Sequence, residues 1–259
     1  MKLRSLTLCA LALVGLMACN DSDNAADKGA ESGYLTFSVA TTDNVDNITT
    51  RAGQIKISEA AGSGYTAPAA ADFTITITNE DEEQIYSGTV GDWDTEKKLK
   101  EGAYSVSAVY NNGAVGFNCP VFEGKANFTI VGGKTTPVQI PVKLMNAIVR
   151  MEFTNMFKNY YSFEKITVTS QGTAVDFAAD ETRGAFIQAT TFKVEGTLTS
   201  QAQGTSTTKT FSKEYTAKPT QCYSLKFNAS NIGGTSFDIT FGDEPSETIT
   251  FDDIDINEE

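Results

Sequence analysis

Apolar and polar residues alternate with a period of two along most of the chain. In residues 35–39, Leu35, Phe37 and Val39 alternate with Thr36 and Ser38. Successive side chains of a strand point to opposite faces of a sheet, so this pattern predicts half-buried strands and an all-β fold. The same alternation recurs in residues 73–78, 104–110, 149–153, 192–198, 223–227 and 237–241.

The segments between the predicted strands are typical of tight turns. Glycines at 113, 132–133 and 233–234 separate apolar runs and suit the positive φ angles of hairpins, so we expect successive strands to pair antiparallel. Helical periodicity is weak throughout. At most, residues 155–161 and 92–100 form a turn or two of helix.

The chain is long enough for two compact units. Strands at this spacing, over the roughly 225 residues after residue 33, favour two β-sandwiches of about 100 residues each over one large barrel. We therefore predict tandem antiparallel sandwiches of the immunoglobulin or transthyretin type over residues 34–143 and 144–259. The boundary is placed near Pro141–Asn146, because Pro141 cannot donate to a central ladder.

Residues 1–18 have the pattern of a lipoprotein signal peptide. Lys2 and Arg4 precede an apolar run over residues 6–17, which is shorter than the ~20 residues that a membrane-spanning helix needs. Leu16-Met17-Ala18-Cys19 resembles the site at which the Cys19 thiol receives a diacylglyceryl group before cleavage. The prediction is a lipid anchor at Cys19; the alternative is an ordinary secretory signal that happens to end near a cysteine.

Residues 19–33 are predicted to be a lipidated, disordered acidic tether. They contain no large apolar side chain that could offset the entropy cost of ordering them. The whole chain has 33 acidic and 20 basic residues, and loss of Lys2 and Arg4 with the signal changes the net charge from -13 to -15. Such a charge repels phosphate backbones, so no nucleic-acid partner is expected.

The amino-acid composition and the absence of known motifs exclude most classes of catalytic site. The chain contains no histidine, which excludes Ser-His-Asp and Cys-His catalysis and histidine-based zinc sites. It also has no Cys-x-x-Cys pair, phosphate-binding loop or dinucleotide-binding motif. We therefore expect no catalytic residues, no metal and no cofactor, although counting alone leaves open a glycosidase built on two carboxylates.

Trp93, the only tryptophan, is the first candidate for ligand binding. Asp92 and Asp94 flank it, and an exposed ring beside carboxylates could stack on a sugar and accept hydrogen bonds from its hydroxyls. The alternative is that Trp93 closes the end of a sandwich, since large rings are usually mostly buried. Tyr160 and Tyr161 are a weaker candidate for the same reason.

Two further groups of residues have structural explanations that we prefer. Cys119 and Cys222 fall in different predicted domains, which favours two small buried apolar side chains over a disulfide. The acids of residues 252–259 could be calcium ligands by composition. They alternate with apolar residues, however, so they are interpreted as a solvated charge run.

Several stretches together resemble a known family. They are Thr50-Arg51-Ala52, "FTITITNEDEEQIYSG", "LKEGAYSVSAVY", the long segment from "FNCPVFEG" to "NAIVRMEF", and "ADETRGAF" before "FKVEGTLTSQ". They are similar to the Bacteroidales lipoproteins of domain of unknown function 4493, which look related to the fimbrillin-type tandem β-sandwich surface proteins. The resemblance implies a surface-exposed protein on the outer membrane, a location that the acidic residues after Cys19 also suggest by analogy with Bacteroidetes surface lipoproteins.

The resemblance also bears on Arg51. In fimbrillin-type proteins an arginine at such a place can be a processing site, whose cleavage frees a groove for a partner's strand. The alternative is an ordinary arginine in a surface loop.

Together these features predict a non-enzymatic outer-surface lipoprotein of a Bacteroidetes-type bacterium, acting in cell adhesion or fimbria-like surface assembly. Its partners would be the membrane, through Cys19, and other surface proteins or glycans. The alternative function is a glycan-binding surface lipoprotein that assists polysaccharide capture.

Overall fold

The structure is a computed structural model that describes residues 31–48, 53–113, 115–201, 207–229 and 236–250. Strands dominate these ranges, which confirms the all-β prediction. No helix in them is long and apolar enough to cross a membrane. The helical elements are α1 (Ile57–Ala61), a 3-10 turn (Ala70–Asp72) and α2 (Asn155–Tyr160). The helix predicted over residues 155–161 is thus confirmed, whereas residues 92–100 form turns and a short strand instead.

The first half of the chain forms one seven-stranded sheet with the order β5-β4-β7-β8-β9-β1-β6. Two further strands, β2 and β3, form a hairpin that belongs to the next sheet. The strands of this half are β1 (Ser32–Thr41), β2 (Asn44–Asn47), β3 (Gln54–Lys56), β4 (Thr74–Asn79), β5 (Gln84–Thr89), β6 (Leu99–Lys100), β7 (Gly102–Asn111), β8 (Val121–Ile130) and β9 (Thr135–Leu144).

The first sheet curls at the crossing of β8 and β9. These strands pair through only three residue pairs, from Phe122↔Leu144 to Gly124↔Val142. The backbones approach so closely that a Cβ at Gly124 would lie 2.0 Å from the Pro141 carbonyl oxygen. Glycine permits this close approach. The inward side chains on both sides of the curl share one core.

The second half forms two sheets that face each other. One has the order β14-β10-β17-β18-β19 and also includes β2 and β3; the other contains β11, β12, β13, β15 and β16. The strands are β10 (Asn146–Phe153), β11 (Tyr161–Ser162), β12 (Ile166–Ser170), β13 (Thr173–Phe177), β14 (Ala185–Gln188), β15 (Thr191–Ser200), β16 (Thr207–Thr216), β17 (Gln221–Ala229), β18 (Ser236–Phe241) and β19 (Glu247–Thr250).

Buried side chains fall into two clusters. One lies inside the curled first sheet and includes Leu35, Phe73 and Ile140. The other lies between the two later sheets and is rich in phenylalanine, including Phe157, Phe227 and Phe237. Two clusters are compatible with two tandem sandwiches, but the division into two domains and their immunoglobulin-like type stay predictions.

Successive strands such as β7 and β8 pair antiparallel, as the turns predicted, but the sheets are not purely antiparallel as the predicted sandwiches would be. β1 pairs parallel with β9, β10 parallel with β17, and β2 parallel with β17. The chain passes from the first sheet to the next by β1 to β2 and again by β9 to β10. Both connections are short and lead from the first sheet to the next. The two strands that precede them, β1 and β9, therefore run in the same direction, and so do the two that follow them, β2 and β10. Local turn signals predict hairpins and contain no information about such crossings.

Side chains and loops also hold the two clusters together. The loop between β7 and β8 reaches β14, where Gly116 and Phe186 exchange two backbone hydrogen bonds of 2.9 Å each. Its Phe117 packs edge-on against Phe177 at 5.3 Å between ring centroids, and the guanidinium carbon of Arg183 lies 4.0 Å from the centroid of the Phe117 ring. At the junction between β9 and β10, buried Asn146 accepts a hydrogen bond from the Val121 N–H through its side chain.

Candidate functional site

Trp93 lies inside the first core cluster. Its side chain is only 7% exposed, and its indole Nε1 donates a hydrogen bond of 2.9 Å to the Leu35 carbonyl oxygen of β1. Phe37 and Tyr86 pack edge-on against the ring, at 5.5 and 4.9 Å between centroids. Trp93 is therefore not an exposed stacking surface. Its burial agrees with the alternative interpretation, in which the ring closes the end of a sandwich.

The carboxylates beside Trp93 organise the turn that carries it. Asp92 accepts a hydrogen bond of 2.7 Å from the Thr89 hydroxyl, and Asp94 accepts one of 2.9 Å from the Glu96 N–H. Both aspartates are exposed. The structure thus does not bring an exposed ring together with these two acids, and ligand binding by Asp92 or Asp94 stays a prediction.

An apolar pocket opens at the end of the second core cluster, near α2. Its volume is about 350 Å³. Half-buried Phe153 and Phe163 line it, with ring centroids 4.9 Å apart, and fully buried Phe157 packs against both rings. The chain leaves β10 at Phe153, turns through α2 and returns in β11, which places these rings together. A pocket of this size with aromatic walls suits a small ligand or one residue of a larger one.

Polar groups surround the pocket. Lys158, Ser162 and Asp180 contribute to its lining and are exposed. Within the described ranges, neither Lys158 nor Asp180 takes part in a salt bridge or side-chain hydrogen bond, so a cationic donor and an anionic acceptor are both available to a ligand. Tyr161 also lines the pocket. Its hydroxyl donates a hydrogen bond of 2.7 Å to the Ser236 carbonyl, and burial raises its pKa to about 12, with a further contribution from Asp238.

Sequence reasoning identified only the edge of this pocket. Tyr161 was a weaker aromatic candidate, but Phe153, Phe163 and Asp180 were not recognised. The usable signal was the density of aromatic residues between 153 and 163 around a short helix. Nothing local indicated that Asp180 would join them, since it follows β13 and reaches the pocket only through the fold.

A second groove, of about 410 Å³, lies beside β4, β7 and β8 and includes Asn79, Asn127 and Thr129 in its lining. Tyr104 and Phe128 also border it. Their rings stack on each other, with centroids 5.7 Å apart and planes inclined by 14°. Because each ring covers part of the other, this groove is a poorer stacking site than the pocket near α2.

Three carboxyl groups in the described part of the chain have shifted pKa values, and all three are lowered, so the charged form is favoured. Hydrogen bonding to Arg183 lowers the pKa of Glu181 to about 2, while partners also lower the pKa values of Asp176 and Glu195. The main partners of the latter two are Lys165 and Lys193. A glycosidase acid needs the opposite shift, toward neutral pH. No group of three or more potential metal ligands occurs in the same ranges.

Several sequence predictions fall on residues outside the described ranges. They are the signal peptide of residues 1–18, lipidation of Cys19, the tether of residues 19–33 except its last three residues, processing at Arg51 and the acids of residues 252–259. The two later cysteines are described as free thiols, Cys119 half-buried and Cys222 buried. Burial raises the pKa of both, that of Cys222 to about 11, which disfavours the reactive thiolate.

Comparison with protein families gives one match, to a family described as "Domain of unknown function (DUF4493)", over residues 31–258. The chain belongs to this family. The match confirms the resemblance drawn from the ordered sequence stretches. No curated protein matches the chain significantly.

Solved structures with a similar course of the chain come from Bacteroides species. A proposed cell adhesion protein of Bacteroides eggerthii has 10% identity and a TM-score of 0.44, covering 88% of this chain and 98% of its own. One from Bacteroides fragilis has 11% identity and a TM-score of 0.39, with coverages of 83% and 95%. A proposed polysaccharide-binding protein of Bacteroides thetaiotaomicron has 10% identity and a TM-score of 0.37, covering 81% of this chain and 95% of its own. These similarities are distant.

Proposed function

We propose that this chain is a non-enzymatic lipoprotein, anchored to the outer membrane through Cys19 and exposed at the cell surface, where it acts in adhesion or assembly with other surface proteins. The observation that carries the proposal is the placement of the two ends of the molecule. β1 begins at Ser32, at the end of the first sheet remote from β10, and the apolar pocket lies beyond the far end of β10. A tether at residue 32 would therefore present the pocket away from the membrane.

The strand directions support this placement. β1 and β9 run parallel toward the second set of sheets, and β10, β17 and β2 are parallel to one another within it. Hydrogen bonds between Gly116 and Phe186 and between Val121 and Asn146 join the β7–β8 loop to β14 and β8 to β10. A body with its tether at one end and a recognition surface at the other suits contact with a partner outside the cell.

Mass spectrometry and surface digestion test the location. The mature chain should begin with an acylated Cys19, and protease added to intact cells should degrade it. A Cys19→Ser variant is the matched control, because it should keep its signal and lose the lipid. An unmodified amino terminus would remove the anchor from the proposal, and protection from protease on intact cells would remove the surface location.

Processing at Arg51 remains a separate part of the proposal. The hairpin of β2 and β3 flanks this residue, and the Asn47 N–H donates a hydrogen bond of 2.9 Å to the Gly53 carbonyl. Amino-terminal sequencing of protein from the cell surface would detect a new terminus at Ala52, and a single terminus at Cys19 would exclude processing.

Glycan binding is the second candidate function, and the pocket near α2 favours it. A sugar ring has an apolar face and polar edges, which match the rings of Phe153 and Phe163 and the side chains of Lys158 and Asp180. We place the glycan site here because Trp93 is buried.

Titration of a glycan panel with the lipid-free Cys19→Ser chain tests this site. Phe163→Ala should weaken binding about fivefold, since a stacked aromatic contributes about 1 kcal/mol. Met156→Ala is the control, because Met156 is on α2 and 40% exposed but does not line the pocket. Equal losses in both variants, or binding that Phe163→Ala leaves unchanged, would place the glycan elsewhere.

A further inference from the structure

β1 is fastened to β9 along almost its whole length. The two strands form eight register pairs, from Tyr34↔Thr135 to Thr41↔Val142. The Tyr34 N–H donates to the Lys134 carbonyl at 2.8 Å, and at the other end the Thr42 N–H donates to the Val142 carbonyl at 3.2 Å. Because N–H directions alternate along a strand, every even-numbered residue between them also points its N–H toward β9.

The prolines of β9 do not interrupt this ladder. Lys134 supplies a carbonyl to β1, so the N–H groups that face β1 belong to the even-numbered residues of β9. Pro137 and Pro141 occupy the intervening positions, whose nitrogen atoms point away from β1. The ladder therefore keeps its donors.

Side chains add to the attachment of β1. Leu35 is fully buried, and its carbonyl accepts the indole hydrogen bond from Trp93. Phe37 packs against the same indole ring. β6 pairs only with the first two residues, Ser32 and Gly33. Sliding β1 along its axis would break these contacts together with the β9 ladder.

The strand directions define how a load would act. Tension between Ser32 and the far end of β10 pulls β1 toward its amino end and β9 toward its carboxyl end. Two parallel strands pulled in opposite directions along their axes are loaded in shear. All eight register pairs then bear the load together, whereas pulling neighbouring strand ends apart would open the pairs one after another.

We propose that the β1–β9 ladder, locked by Trp93, is a force-bearing clamp that keeps the molecule folded when a partner pulls on it against its anchor. The inference rests on the proposed function only for the points at which force enters, the tether before Ser32 and the region of α2. The mechanical property belongs to the fold and can be measured without any partner.

Single-molecule pulling on the lipid-free chain in two directions tests the clamp. Handles at Ser32 and at Asn159, an exposed residue of α2, load the ladder in shear. Handles at Ser32 and Lys134 open it from one end. The first unfolding event should need a several-fold higher force in the shear direction, because forced unfolding is governed by the barrier along the pulling path. Equal forces in both directions would overturn the proposal.

A reversible cross-link identifies the ladder as the element that yields. Ser38 and Gln139 are exposed register partners, so Ser38→Cys and Gln139→Cys can form a disulfide across β1 and β9. A Cys119→Ser background removes the half-buried thiol. Oxidation should raise the shear unfolding force and reduction should restore the wild-type value; no change on oxidation would show that another element yields first.

These measurements separate the clamp from the proposed function. A higher unfolding force in the shear direction together with an unmodified Cys19 in cells would support the clamp and contradict the lipid anchor. Equal unfolding forces in both directions together with confirmed acylation and surface exposure would contradict the clamp and support the proposed function.

Discussion

Replacing Trp93 with phenylalanine isolates the contact between the 92–94 turn and β1. The substitution keeps an aromatic ring but removes the indole N–H, so the buried Leu35 carbonyl loses a hydrogen bond of 2.9 Å. An unsatisfied buried acceptor costs about 1–3 kcal/mol, and the lost ring atoms cost about 1 kcal/mol more through reduced packing against Phe37 and Tyr86. The expected loss in the free energy of unfolding is about 3 kcal/mol.

Circular dichroism during thermal and urea unfolding measures this loss, since the variant has no tryptophan to report by fluorescence. For a chain of this size the melting temperature should fall by about 6–12 °C. Tyr104→Phe is a matched control, because it removes an exposed hydroxyl that donates to the Lys100 carbonyl at 3.0 Å and should change stability by less than about 0.5 kcal/mol.

The wild-type protein provides a second measurement of the same residue. Emission from Trp93 should be blue-shifted and resistant to quenching by acrylamide, because the ring is 7% exposed. A loss below about 0.5 kcal/mol in Trp93→Phe, combined with freely quenched emission, would refute the assignment of Trp93 to the core. It would also return the ring to the set of ligand-binding candidates.

Three further substitutions test other parts of the structure. Arg183 holds the pKa of Glu181 at about 2, below its unfolded value, so the ion pair stabilises the fold above about pH 4.5; the stability difference between wild type and Glu181→Gln, followed by urea unfolding, should shrink as the pH falls from 5 to 2. Gly124→Ala should cost about 3 kcal/mol or more, measured by thermal unfolding, because its Cβ would collide with the Pro141 carbonyl oxygen. Phe117→Ala should speed amide hydrogen exchange in the strand that the β7–β8 loop contacts, whereas unchanged exchange would show that the ring does not hold this junction.

The candidate site shows where local patterns stop being informative. The aspartates beside Trp93 made it a candidate for ligand binding, with burial as the alternative, and a strand 58 residues earlier in the chain covers it. Phe153 belongs to a predicted strand, yet α2 follows that strand almost at once and the Phe153 ring stays half-buried beside Phe163. In both cases exposure depends on what packs against the residue, and a distant segment supplies it.

The amino-acid sequence is enough to predict the strands, because a period of two encodes which face of each strand is buried and needs no knowledge of its partners. It also determined the chemistry that is out of reach, since a chain without histidine cannot use imidazole. Which strands pair with one another is visible only in the folded protein. Parallel pairing of β1 with β9, the curl at Gly124 and the pocket beside α2 all join residues far apart in the chain, and such contacts depend on the packing of whole sheets rather than on any local run of residues.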